Sequence, residues 1–247
     1  MRQGYPPQGK SQRQSRGQSY TTVLGAATAE IVVRKSRFIA TIAHVESEAE
    51  AMRFIGRVKE DHRDATHNVY AFRIGHAGEI ERQSDDGEPG GTAGKPVLEA
   101  LRRERDGLTN IAAVVTRYFG GILLGANGLV RAYSQAAKAG LDRAQVVTYV
   151  PACVVLLLVD YQTSGKLESF LRSGGYPVIG ASYGKGVALE VAISRDDLHN
   201  LAGRVADISA GRGTVSVTRE TFWPMAPDGR LCSIPGRSLL RPQDDPG

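Results

Sequence analysis

The chain has 247 residues, with 31 Lys+Arg against 26 Asp+Glu for a formal charge of +5, and 41% of its residues are hydrophobic. That apolar share excludes a wholly disordered polymer, and the length suffices for one large or two small cores. The longest apolar run, residues 152–159, falls far short of the ~20 residues of a membrane-spanning helix, and two cysteines make neither a disulfide framework nor a four-thiolate zinc site.

Residues 1–18 carry Arg2, Lys10, Arg13 and Arg16 and no acid, so nearly all of the basic excess lies there. This Gln-, Gly-, Pro- and Ser-rich segment cannot support a packed core and is expected to be a disordered basic tail. The remainder is close to neutral, so bulk charge does not make the chain a nucleic-acid binder, and any anion site must come from local arrangement. No basic-then-apolar leader opens the sequence, so a reducing, cytoplasmic setting is expected.

Residues 20–33 and 38–45, rich in Thr, Val and Ile, read as strands around a turn near Lys35 and Ser36. Ser47, with Glu50 three residues on, opens a helix over 47–61. Alternation over 67–74 gives a strand with Val69 and Ala71 on one side and Asn68, Tyr70 and Phe72 on the other. A polar, glycine-rich stretch over 75–94 reads as a long loop, which inside a compact domain is functional or disordered. A short helix over 96–105 starts at Pro96, where a missing N–H costs nothing. Residues 110–119 read as a buried strand, and glycines 120, 121, 125 and 128 precede a helix over 129–142.

The second half reads as strand 146–160, helix 164–173, a hairpin of 178–183 and 187–193, helix 196–209 and strand 214–222. That order is the split βαβ pattern of a ferredoxin-like domain. The expected organisation is therefore α+β: one domain over 19–145, a second over 146–223, and an unstructured Pro/Gly/Arg/Asp-rich tail over 224–247.

Three stretches can carry chemistry. In 84–96, SDDGEPGGTAGKP, successive glycines let backbone N–H groups face a shared concavity suited to a phosphate or carboxylate. Thr92, Gly94, Lys95 and the helix start at Pro96 would add to it. The stretch is no Walker loop, since Lys95 is followed by Pro96 rather than Ser or Thr, and a plain surface loop fits its composition equally. In 116–133, TRYFGGILLGANGLVRAY, Arg117 and Arg131 can converge on one anion across the Gly120–Gly121 bend, with Tyr118 and Tyr133 as stacking faces. The plainer reading makes Phe119 core and both arginines surface partners of acids. The third set is His62, Asp64 and His67 with the loop acids Asp85, Asp86 and Glu88. The spacing of His62 and His67 suits neither a one-face helical pair nor an alternating strand pair, so no metal and no cofactor is expected. Cys153 reads as inert core and Cys232 lies in the tail without a nearby His.

KSRF (35–38), HNVYAFR (67–73), SDDGEPGGTAGKP (84–96) and VVTRYFGGILLGANGLVRAY (114–133) together resemble the IMPACT/YigZ family. The resemblance covers 19–145, and Gly90 stands where members commonly carry Ser. It implies a ribosomal protein S5 domain 2-like fold for the first domain, and for the second the small ferredoxin-like domain of bacterial members. It also implies a non-enzymatic cytoplasmic protein that binds RNA or the ribosome, or protein partners, and modulates translation. The residues expected to line the groove are Lys95, Arg117, Arg131 and His67. The alternative is an enzyme acting on a phosphorylated or carboxylated small molecule between 84–96 and 117–131, with Asp85, Asp86 or Glu88 as base.

Overall fold

In the first half of the chain, runs rich in Val, Ile, Ala and Thr pair into a five-stranded antiparallel sheet. The computed structural model describes residues 19–104, 107–232 and 234, and the chain divides into a unit over Tyr20–Thr148 and a second from Tyr149 onward. In the first unit the strands are β1 (Tyr20–Val23), β2 (Ala26–Val33), β3 (Ser36–His44), β4 (His67–Ile74), β5 (Ile80–Ser84) and β6 (Ile111–Tyr118). The sheet order is β2-β3-β6-β4-β5. β1 stands apart from this sheet, and the amide after it, on Leu24, donates to the Gln145 carbonyl at 2.7 Å.

β6 is the middle strand, and seven of its eight residues are buried. An unbroken apolar run of this kind means that both faces of the sheet are covered. On one face lies α1 (Glu48–Asp61), which buries Ala51, Phe54, Ile55 and Val58 against Phe72, Ile74, Ala112 and Val114. On the other lie α2 (Gly94–Arg103) and α3 (Gly125–Arg143), whose Val97, Leu101, Leu129, Tyr133 and Ala137 meet Phe38, Val69, Ala71, Ala113 and Val115. Each large apolar side chain sealed in these layers contributes about 1.5–3 kcal/mol. The expected cap of α1 is present: Ser47 accepts from the Glu50 amide, satisfying one of the otherwise orphaned first-turn donors.

Two expectations for this unit need correction. The stretch 75–94 is not one loop, because residues 80–84 form the edge strand β5 on β4. Its sequence, IERQS, carries no apolar alternation because an edge strand of charged residues faces solvent. The helix after the double glycine starts at Gly125, a turn earlier than expected. Gly128 is thus helical, where glycine is ordinarily disfavoured, while Gly125 enters the helix at φ +71°, a conformation that suits glycine.

From within β7 (Val146–Val159), whose first three residues belong to the first unit, the second unit runs on through α4 (Tyr161–Ser173), β8 (Val178–Tyr183), β9 (Val187–Ser194), a single 3₁₀ turn, α5 (Leu198–Ser209) and β10 (Thr214–Met225). β7 lies between β9 and β10, and β8 pairs the far edge of β9, which is the ferredoxin-like arrangement expected. Leu157, Leu167, Leu171, Val191, Leu201 and Val205 make its core, with buried Cys153 among them. Residues 224–232 were expected to be loose and are not. The buried indole of Trp223 donates to the Cys232 carbonyl at 2.8 Å, and the Ala226 amide donates to the Arg230 carbonyl at 2.8 Å. One buried aromatic ring holds a segment whose composition reads as coil. The basic tail over 1–18 and the end of the 224–247 segment lie outside the described residues.

Candidate binding site

Beyond Ser84 the chain reverses through Asp86 and Gly87, both at positive φ, before α2 begins. Backbone amides here do point into a shared concavity, and the chain's own carboxylate fills it. Asp85 accepts from the amides of Gly91 at 2.8 Å, Ala93 at 3.0 Å and Gly94 at 2.8 Å. Burial works to raise the Asp85 pKa, yet the three amide bonds outweigh it and hold the carboxyl below its ordinary value. The anion that the glycine pattern anticipated is therefore internal.

The neighbouring residues are equally committed. Asp86 takes the Lys59 ammonium at 2.6 Å and the Asn68 amide at 2.6 Å; burial opposes ionisation there too, and these partners again lower the pKa. The Thr92 hydroxyl donates to the Pro89 carbonyl at 2.7 Å. Gly94 passes so close to β5 that a Cβ would stand 2.9 Å from the Ser84 carbonyl atoms.

Glu88 closes the loop from beneath. Its Oε1 receives Arg117 Nη1 at 2.6 Å and the Tyr133 hydroxyl at 2.8 Å, and His67 Nε2 lies 3.8 Å away. His67 Nδ1 is fixed at 2.8 Å from the Asp86 carbonyl. Burial, reinforced by the Glu88 carboxylate, pushes the Tyr133 phenol far above its usual range, so it is a permanent donor here. Arg117 is 5% exposed, and its guanidinium lies 5.4 Å from both the Phe38 and the Phe119 ring centres. Its Nε is buried without a hydrogen-bond partner. A buried unsatisfied donor costs about 1–3 kcal/mol, so this atom is the one unmet demand of an otherwise satisfied network.

Above the network opens a cavity of about 400 Å³. Thr66, His67, Glu88 and Arg117 supply its polar lining; Pro89, Phe119, Leu123, Leu124 and Leu129 supply apolar walls, and Gly125 and Ala126 of α3 complete it. Its lip is exposed and apolar, with Phe119 44% and Leu123 81% accessible.

Of the four groove residues expected from sequence, the cavity gathers His67 and Arg117. Lys95 and Arg131 are exposed and do not line it. The reason is helical phase: Pro96 and Val97 turn inward at the start of α2, and Leu129, Ala132 and Tyr133 turn inward on α3, which leaves Lys95 and Arg131 on the outer faces. Strand alternation likewise separates Tyr118 from Arg117. Tyr118 contacts His62 Nδ1 at 2.9 Å and Asp64 Oδ1 at 3.2 Å on the α1 side. Tyr133 is wholly buried, so neither tyrosine offers a stacking face to the cavity. Gly120 and Gly121 form the bend: the Gly120 amide donates to the Ser36 hydroxyl at 3.1 Å, and Gly121 adopts φ +81°. Sequence reasoning missed the apolar wall of Leu123, Leu124 and Leu129. Its signal was the run ILLG, apolar residues placed directly after a double glycine.

Comparison with known proteins bears on both units. Residues 34–141 match the Impact N-terminal domain and residues 157–212 match a domain of unknown function, DUF1949. The chain is 38% identical to the IMPACT family member YvyE of Bacillus subtilis, over 83% of its own length and 93% of the relative. It is 35% identical to the IMPACT family member YigZ of Escherichia coli, over 72% and 88%. A protein IMPACT homolog of Dictyostelium discoideum is 40% identical over 38% of this chain and 28% of its own. A solved structure titled as that of a hypothetical protein superposes with a TM-score of 0.53 at 32% identity, covering 81% of this chain and 98% of that one. The motifs, the two-unit fold and these relatives together place the chain in the IMPACT family.

Proposed function

We propose that this chain is a non-enzymatic cytoplasmic protein that binds single-stranded RNA, free or within the ribosome, and that its first unit receives an unstacked base in the cavity. The observation that carries this reading is the exposed Phe119 ring at the lip of the cavity, 5.4 Å from the buried Arg117 guanidinium. A nucleobase would offer a flat face for the exposed Phe119 ring and apolar contact for Leu123 and Leu124. Stacking of one base on an aromatic side chain is worth about 1–3 kcal/mol. Modulation of translation would follow from occupancy of such a site on ribosomal or messenger RNA.

The enzymatic alternative draws little from the geometry. Asp85, Asp86 and Glu88, its candidate bases, each spend carboxylate oxygens on fixed internal partners. One feature still favours a small ligand: a cavity of about 400 Å³ lies within the size range of metabolite sites. Fluorescence anisotropy with short single-stranded RNAs, on the full chain and on Phe119→Ala, decides between them. The RNA reading requires affinity that falls about 10-fold or more in the variant. RNA affinity equal in both proteins rejects it, and a thermal shift with a nucleotide or sugar phosphate in place of RNA affinity would favour the enzyme.

A further inference from the structure

The turn between β2 and β3 holds the strongest conformational anomaly outside the cavity. Val33 pairs with Ser36, so Arg34 and Lys35 alone make the loop, with φ of +46° and +66°. A two-residue hairpin turn with both central residues at positive φ is the type I′ turn, for which Asn-Gly is strongly preferred. Long cationic side chains are poor choices there, and residues held in such conformations cluster at functional sites. Both are exposed, and neither makes an ion pair among the described residues. The next cation, Arg37, is by contrast occupied: it pairs with Glu30 at 3.0 Å and lies 5.2 Å from the Tyr118 ring centre.

The turn is also clamped beside the cavity. Gly120, the neighbour of the lip residue Phe119, runs so close that a Cβ would stand 2.1 Å from the Lys35 carbonyl atoms. Ser36, the residue after the turn, is wholly buried, and its hydroxyl accepts from the Gly120 amide and from Arg117 Nη2 at 3.4 Å. Two uncompensated cations are thus held at a fixed place next to a cavity whose own floor pairs its arginine with a glutamate.

We infer that the Arg34–Lys35 turn is a phosphate-contact site, gripping the backbone of the strand whose base enters the cavity. This rests on the RNA reading above and divides the labour: the cavity supplies base stacking, and the turn supplies charge. Each phosphate neutralised on a single strand adds about 0.7 to the slope of log affinity against log salt.

The test measures RNA affinity of the full chain across salt for wild type, Arg34→Asn/Lys35→Gly and Phe119→Ala. Asn and Gly suit the turn better than the native pair, so the double variant folds with a melting temperature no lower than wild type. The inference expects it to lose about 10-fold or more in affinity at low salt and to flatten the salt slope by roughly 1.4. Phe119→Ala is expected to lose affinity with its slope unchanged. Loss in Phe119→Ala alone, with the double variant equal to wild type, overturns the turn site and leaves the cavity reading standing. Absence of RNA binding in wild type overturns both. A double variant that keeps RNA affinity but loses retention on polyglutamate would assign the turn to an acidic protein surface, and so overturn the phosphate assignment.

Discussion

The two glycine-bearing bends of the first unit, 84–94 and 119–125, look alike in sequence and are opposites in structure. The first is a closed scaffold: Asp85 takes three of its amides, Asp86 ties it to α1 and β4, and Glu88 roots it on Arg117. The second is an open surface, with Ile122 and Leu123 exposed and Gly121 and Gly125 at positive φ with open space around them. Glycine alone does not mark a ligand loop. What separates the two is that a carboxylate of the first bend gathers several of its own amides, whereas the second is anchored at one end by the Gly120 amide on Ser36 and leaves its following residues exposed.

Substitutions that attack the scaffold or the backbone of either bend should cost stability, and those of the exposed lip side chains should cost binding alone. The largest expected effect is Glu88→Ala. It leaves the Arg117 guanidinium buried without its carboxylate, which costs on the order of 3–5 kcal/mol, read as a lower urea midpoint. Gly120→Ala comes next: its methyl would meet the Lys35 backbone at 2.1 Å, an overpacking cost of about 1–3 kcal/mol, whereas Gly121→Ala has only its positive φ to resist and loses about 1–2 kcal/mol.

Asp85→Ala removes an acceptor shared by three amides and should cost about 1–3 kcal/mol at neutral pH. Its pH dependence has a definite sign. The folded-state pKa of Asp85 is depressed, so its stabilisation is present above the unfolded carboxylate value, about 3.9, and is lost as pH falls below it. The gap in melting temperature between wild type and variant should therefore narrow as pH falls below about 4; a gap that widens there contradicts the role assigned to Asp85. The smallest stability effect belongs to Leu123→Ser, within about 0.5 kcal/mol, paired with weakened RNA binding. A Leu123→Ser variant that unfolds readily would mean that the lip is core rather than surface.

Sequence carried the layered architecture well, because β6 reads as one continuous apolar run and the second unit repeats a recognisable β-α-β-β-α-β order. It failed where a single distant partner decides local structure. Nothing in IERQS announces that β5 will pair with β4, and nothing near residue 230 announces that Trp223 will hold it. In the site, motif reading found Arg117, His67 and Glu88 but treated the loop acids as free and the cations as convergent. Helix phase, fixed by burial of Leu129 and Tyr133, sends Arg131 outward, and only the folded loop shows that Asp85 answers its own amides.

Photocrosslinking of a short 4-thiouridine-bearing RNA to the full chain, with the adduct mapped by mass spectrometry, addresses the cavity most directly. Base insertion places the adduct on Phe119 or the adjoining segment through Leu124, and competition by unlabelled RNA removes it. Adducts confined to residues 1–18 or to the second unit, with none at Phe119–Leu124, would show that RNA is met elsewhere and that the cavity is not its receptor.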